Sequence, residues 1–309
     1  MNKTLQQRLG FAATDRLLIL HADDVGMCEA TVSAWRELLD VGLLTSASAM
    51  APCAWFPAVA EIAKAYGERA DLGLHLTLTA EWPQYRWNPL TGTDPTSGLV
   101  DDAGYFHSLA CDMHEQATPD AVWRELEAQI FRAENAGVTL THFDSHMLAL
   151  WYPTLMPLFV ELAVKHQLPA FTVRHTAQQI ADDCVIPIGL AEVVEAQLDV
   201  AAAAGHIMPI DSWHILPFGT HIDLPSRLKW ACERLDTFGP GVHAIIGHPA
   251  NDTPELRAIA ADYATRIGDR QLFGSEQFRM EIQERGFKLI GLRQIRDLLR
   301  TEIAQGLAA

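Results

Sequence analysis

The chain has 309 residues, 49% of them hydrophobic and 20% charged, which suffices for one large core and excludes an intrinsically disordered chain. A formal net charge of −16 excludes a phosphate-neutralising surface, so nucleic acid is not the expected partner. Five widely spaced cysteines without a CxxC exclude a disulfide framework and a thiolate zinc cluster.

Residues 1–16 lack a signal-like apolar run, and no stretch reaches the roughly 18 apolar residues of a membrane span, so a reduced, cytoplasmic protein is expected. Residues 16–22 (RLLILHA) are apolar on both faces, as a buried parallel strand is. A helix follows over 27–41, then a strand at 43–50, a helix near 56–67 and a strand at 71–78. Residues 80–110, with Pro83, Pro89 and Pro95, read as a long irregular loop of the kind that serves as a lid or binding loop. Thr118 and Pro119 predict a helix start, with its end near Asn135 and Gly137 as the stop. A strand at 138–146, a helix opened by Pro153 and ending near His166, and a strand at 169–175 come next. Beyond 176 the pattern predicts helices near 190–204 and 225–237 and a strand at 242–250. Helices at 254–267 and 274–285, a short strand at 287–290 and a last helix to Ile303 complete the chain. Repeated strand–helix units without a break in composition predict one domain over 1–309, a parallel sheet or barrel with helices outside.

In such folds functional groups gather at the C-terminal ends of strands. Four predicted strand ends carry polar residues: HADD at 21–24, GLH at 73–75, THFDSH at 141–146 and GHPA at 247–250. In 71–78, Leu72, Leu74, Leu76 and Leu78 share one face, with Gly73, His75 and Thr77 on the other. An extended 141–146 places His142, Asp144 and His146 on one face. Two histidines and an aspartate in six residues are hard to explain by packing, because each buried polar group needs a partner. Asp23 and Asp24 are strand neighbours whose side chains point apart, so different jobs are expected of them, unless they cap a helix or a turn. His75, among aliphatics, reads as a ligand or as a hydrogen-bonded core histidine. His248, where a strand meets a turn, suits a proton donor or a structural role. His21, Arg174 and His175 also lie near strand ends.

One carboxylate with two histidines leaves positions open on a metal. Such a centre makes water nucleophilic near neutral pH and polarises a carbonyl. A nearby carboxylate can take the proton of the water, and an imidazole can protonate a leaving amine. These are the parts of amide hydrolysis. GxSxG, P-loop and GxGxxG motifs do not occur.

Taken in order, HADDVGM (21–27), TSASAM (45–50), LGLHLTL (72–78), GLVDDAGYFHS (98–108), THFDSHMLALWYP (141–153), IIGHPA (245–250) and ERGFKLIGLRQI (284–295) resemble the YdjC-like (ChbG/HpnK-type) carbohydrate deacetylase family. The resemblance implies a distorted (β/α) barrel of mostly parallel strands. It implies removal of the N-acetyl group from an amino sugar or chitooligosaccharide, with release of acetate. It implies a divalent metal, Mg2+ or Zn2+, on Asp24, His75 and His146. Asp23 matches the general base, and His248 is the expected proton donor. His142 and Asp144 lie beside the ligands, where they orient the metal histidines or the substrate; Arg174 is grouped with them. Val25 departs from the family's pattern by replacing an aromatic, and Met147, Leu148 and Ala149 by standing where the family usually has further histidines, which makes the pocket beside the ligands more apolar. Trp82, Tyr85, Trp87, Trp151 and Trp213 are available to stack on sugar faces or to pack the loops. A metal-dependent sugar isomerase or lyase, and a non-catalytic sugar-binding protein with a structural metal, are the alternatives. The expected partner is a small carbohydrate, with no membrane, and with a homodimer left open.

Overall fold

The computed structural model describes residues 3–306. Its strands are β1 (Arg16–Val25), β2 (Ser46–Ala49), β3 (Leu72–Leu76), β4 (Phe143–Ser145), β5 (Ser212–Ile215), β6 (Gly241–Gly247) and β7 (Phe287–Leu289). All pair in parallel, in the order β4-β3-β2-β1-β6-β5, with β7 against the first residues of β1. Residues 169–174 join the two edges. Phe143 N donates to Pro169 O (3.0 Å), Phe171 N to Phe143 O (2.7 Å), Ile210 N to Thr172 O (2.9 Å) and Arg174 N to Ile210 O (3.0 Å). The sheet therefore curls into a distorted barrel with the helices around it.

Local sequence explains the elements. Leu17, Leu18, Ile19 and Leu20 in β1 are fully buried, as a strand covered on both faces requires. The Glu29–Val41 helix turns Ala30, Val32, Trp35, Leu38 and Leu39 inward and stops at Gly42, whose φ of 69° suits glycine. Each of its large buried side chains contributes about 1.5–3 kcal/mol relative to exposure.

Several boundaries differ from the sequence expectation. β3 ends at Leu76, because the buried Gln129 side chain takes over from the ladder: Thr77 N donates to its Oε1 and its Nε2 donates to Thr77 O. The expected strand at 169–175 makes only isolated bridges and begins at Pro169, which has no N–H to give. The helix expected over 254–267 is two, Pro254–Ile259 and Tyr263–Phe273, parted by the extended Ala260 (φ −108°, ψ 112°). The helix expected from Pro153 begins at Met156. Two elements were not expected: the Ala177–Cys184 helix, capped by Thr176, and β5. The long loop runs as far as a short helix, Ala110–Gln116, and is pinned by a bridge between Val100 and Phe106. No helix among the described residues is long and apolar enough to cross a membrane.

Candidate metal centre and cleft

A cleft of about 430 Å³ opens at the C-terminal ends of the strands. Asp23 and Asp24, at the end of β1, both line it. Simple strand alternation would part them, but Asp24 has a left-handed backbone (φ 62°), which brings its carboxylate to the same cleft. Aspartate tolerates that region better than most residues.

Asp24 Oδ1 lies 3.3 Å from His75 Nε2 and 3.1 Å from His146 Nδ1, and all three side chains are buried. His75 comes from β3. His146 is delivered by a single turn, His146–Leu148, in which Met147 and Leu148 are left-handed (φ 52° and 49°). The extended stretch expected through His146 therefore ends at Ser145, and the turn aims the ring.

The far nitrogen of each ring meets a carboxylate. His75 Nδ1 lies 2.7 Å from Asp144 Oδ1, and His146 Nε2 lies 3.0 Å from Glu81 Oε2. An ionised carboxylate only accepts, so those nitrogens carry protons. In the neutral rings, His75 Nε2 and His146 Nδ1 then present lone pairs toward Asp24 Oδ1. That oxygen is buried and accepts no hydrogen bond, while Oδ2 accepts from Arg266 Nη1 at 2.8 Å. Three electron-pair donors converging on one point need a positive charge between them. The carboxylate oxygen and two imidazole nitrogens, all within 4.8 Å of one another, fit a divalent cation. Without one, protons fill the place. Burial lowers the pKa of His146, but the Glu81 and Asp24 carboxylates outweigh it and push it up to about 9. His75 is likewise raised against burial, by Asp144 and Asp23. Burial disfavours the Asp24 charge, yet Arg266 and His146 hold its carboxyl well below the usual range.

A second layer of polar groups lies beneath. His21 Nε2 sits between Asp23 Oδ1 (3.0 Å) and Asp144 Oδ2 (2.9 Å). Burial lowers its pKa, but the two carboxylates push it up to about 9, so the ring is an imidazolium. His142 Nδ1 is hydrogen-bonded to Thr141 Oγ1 at 2.9 Å. Burial and the nearby His21 charge bring its pKa down to about 3, so it stays neutral. Its ring lies over Gly73, where a Cβ would come 2.3 Å from Nε2, so only glycine fits. His21, His142 and Asp144 also bring ligand atoms within 4.8 Å, as do Asp23, His75 and Asp144. In both sets Asp144 is already engaged by His21 and His75.

Asp23 Oδ2 lies 3.8 Å from His248 Nε2. The His248 backbone N–H donates to Asp269 Oδ2 (2.8 Å), and its ring packs 4.8 Å from Phe218. Arg174 is not brought to the site: it is exposed and does not line the cleft, because its stretch of chain is spent closing the barrel. Trp82, Trp151 and Trp213 line the cleft, together with Phe171 and Phe218. Tyr85 and Trp87 do not; they donate to Met27 O and Thr79 O and pack the loop. Sequence reasoning missed Glu81, Ser48 and Arg266. Ser48 Oγ touches both His75 Nδ1 (3.1 Å) and Asp23 Oδ1 (3.4 Å). Glu81 offered a weak signal, as the first carboxylate after the His75 strand. Arg266 offered none, because 242 residues separate it from Asp24.

Fold and site together define a (β/α) barrel protein with a buried Asp–His–His grouping at the strand ends. A family model for YdjC-like proteins matches residues 17–284. A carbohydrate deacetylase of Thermus thermophilus is 32% identical over 298 residues, covering 96% of this chain and 99% of that protein. A carbohydrate deacetylase of Thermoanaerobacter pseudethanolicus is 26% identical over 279 residues, covering 89% and 97%. The crystal structure of an Enterococcus faecalis protein named for cellobiose-phosphate cleavage matches with a TM-score of 0.75 at 23% identity, covering 91% of this chain and 99% of its own, and shows the shared fold. The chain belongs to the YdjC-like family.

Proposed function

We propose that the chain is a metal-dependent hydrolase that removes the N-acetyl group from an acetylated amino sugar or chitooligosaccharide and releases acetate. The names of its relatives support the carbohydrate deacetylase reading. The observation that carries it is the meeting of Asp24, His75 and His146 beside an unengaged Asp23 oxygen and His248.

Asp24, His75 and His146 would hold the cation, with Asp144 and Glu81 fixing the two rings. A divalent cation there supplies a Lewis acid for the acyl oxygen and makes water acidic enough to attack near neutral pH. Two imidazole donors favour Zn2+ over Mg2+. Asp23 keeps one oxygen on His21 and turns the other toward His248, so it can take the proton of the attacking water. His248 hands a proton to the amide nitrogen as the C–N bond breaks, leaving a free amine and acetate. Trp82, Trp151 and Trp213 offer faces to the sugar ring. One continuous buried core supports reading 1–309 as one domain, and five free cysteines suit a reducing cytoplasm.

The test is acetate release from N-acetylglucosamine oligomers by metal-loaded protein. Asp23→Asn abolishes it while metal content stays unchanged. Full activity in that variant refutes the base assignment. Sugar interconversion without acetate supports an isomerase instead.

A further inference from the structure

We infer that this cleft accepts uncharged or cationic acetamido sugars and rejects sugars that carry phosphate. The inference rests on the deacetylase reading and names the substrate class of that same site.

Six carboxylates line the cleft: Asp23, Asp24, Glu81, Asp144, Asp183 and Asp262. Arg266 is the single Lys or Arg in the lining among the described residues. It is almost wholly buried, and its charge is held between two carboxylates, with Nη1 on Asp24 Oδ2 (2.8 Å) and Nε on Asp262 (3.0 Å). Phosphate recognition relies on arginine or lysine with charge to spare for charge-assisted hydrogen bonds, and the one guanidinium in this lining is already offset by Asp24 and Asp262. A bound divalent cation and the His21 imidazolium behind Asp23 and Asp144 offset part of the negative charge, and an excess remains. The rest of the wall is apolar, including Trp151, Phe171, Trp213 and Phe218. Apolar walls strengthen the field between a phosphate and these carboxylates. At the outer side the Asp183 carboxylate is 37% exposed and lies 3.3 Å from His175. An ammonium group, such as one left by an earlier deacetylation, finds complementary charge there.

The experiment compares kcat/KM for acetate release from N,N′-diacetylchitobiose and from its 6-phosphate, at low and high salt. The neutral sugar is expected to be favoured at least about tenfold at low ionic strength, the ratio shrinking as salt rises. Asp183→Lys, at an exposed position, is expected to narrow that ratio. Equal or better turnover of the phosphorylated sugar overturns the inference and leaves the deacetylase reading standing. Absence of acetate from both sugars defeats the deacetylase reading. Calorimetric binding of the same two sugars to metal-loaded Asp23→Asn then decides the charge preference. Weaker binding of the phosphorylated sugar upholds it. Equal or tighter binding, or no binding of either sugar, overturns it.

Discussion

His75 Nδ1 and Asp144 Oδ1 lie 2.7 Å apart, and this contact decides which nitrogen of His75 faces Asp24. The carboxylate holds the proton on Nδ1 and frees Nε2, the atom that points at the proposed cation. Asp144 itself is held well below the usual carboxylate range: burial opposes its charge, but His75 and His21 outweigh it.

Asp144→Asn keeps the shape and removes the charge. Metal affinity is expected to fall about 10–100-fold. Competition titration of the metal-free protein against a chelating dye measures it. Unchanged affinity would show that Asp144 does not orient the ligand.

Metal binding is expected to depend on pH with a definite sign. In the cation-free protein His146 holds its proton up to about pH 9, because Glu81 and Asp24 outweigh the effect of burial. A cation must displace that proton, so affinity falls as pH drops below 9, by about tenfold per unit for each proton displaced. Titrations at several pH values, with the released protons counted calorimetrically, check both sign and slope. Affinity independent of pH between 6 and 8 would contradict it.

Gly73→Ala drives a methyl group into the His142 ring, where the Cβ would stand 2.3 Å from Nε2. Overpacking of this kind is expected to cost about 1–3 kcal/mol of stability in urea denaturation. In a His142→Ala background the same change is expected to cost much less. Equal costs in the two backgrounds would show that the ring is not what requires glycine.

Much of this was legible in the sequence, and the limits have physical causes. Apolar runs fixed β1, β3 and β6 because parallel strands are buried on both faces. Polar residues at the ends of those runs marked Asp23, Asp24, His75 and His248. The turn that aims His146 depends on two left-handed residues, Met147 and Leu148, which no periodicity announces. β5 has only four residues, so the alternation of Trp213 and Ile215 with Ser212 and His214 is too short to stand out. The partners that set proton positions, Glu81 and Arg266, reach the site only through the fold. Arg174 looked like a strand-end residue, but the barrel seam leaves it in solvent.

The most direct measurement is anomalous diffraction at the metal edge from crystals of catalytically active protein. The account predicts one peak bonded to Asp24 Oδ1, His75 Nε2 and His146 Nδ1, lost in Asp24→Ala together with acetate release. A peak held instead by His21, His142 and Asp144, or undiminished metal and activity in Asp24→Ala, would contradict it.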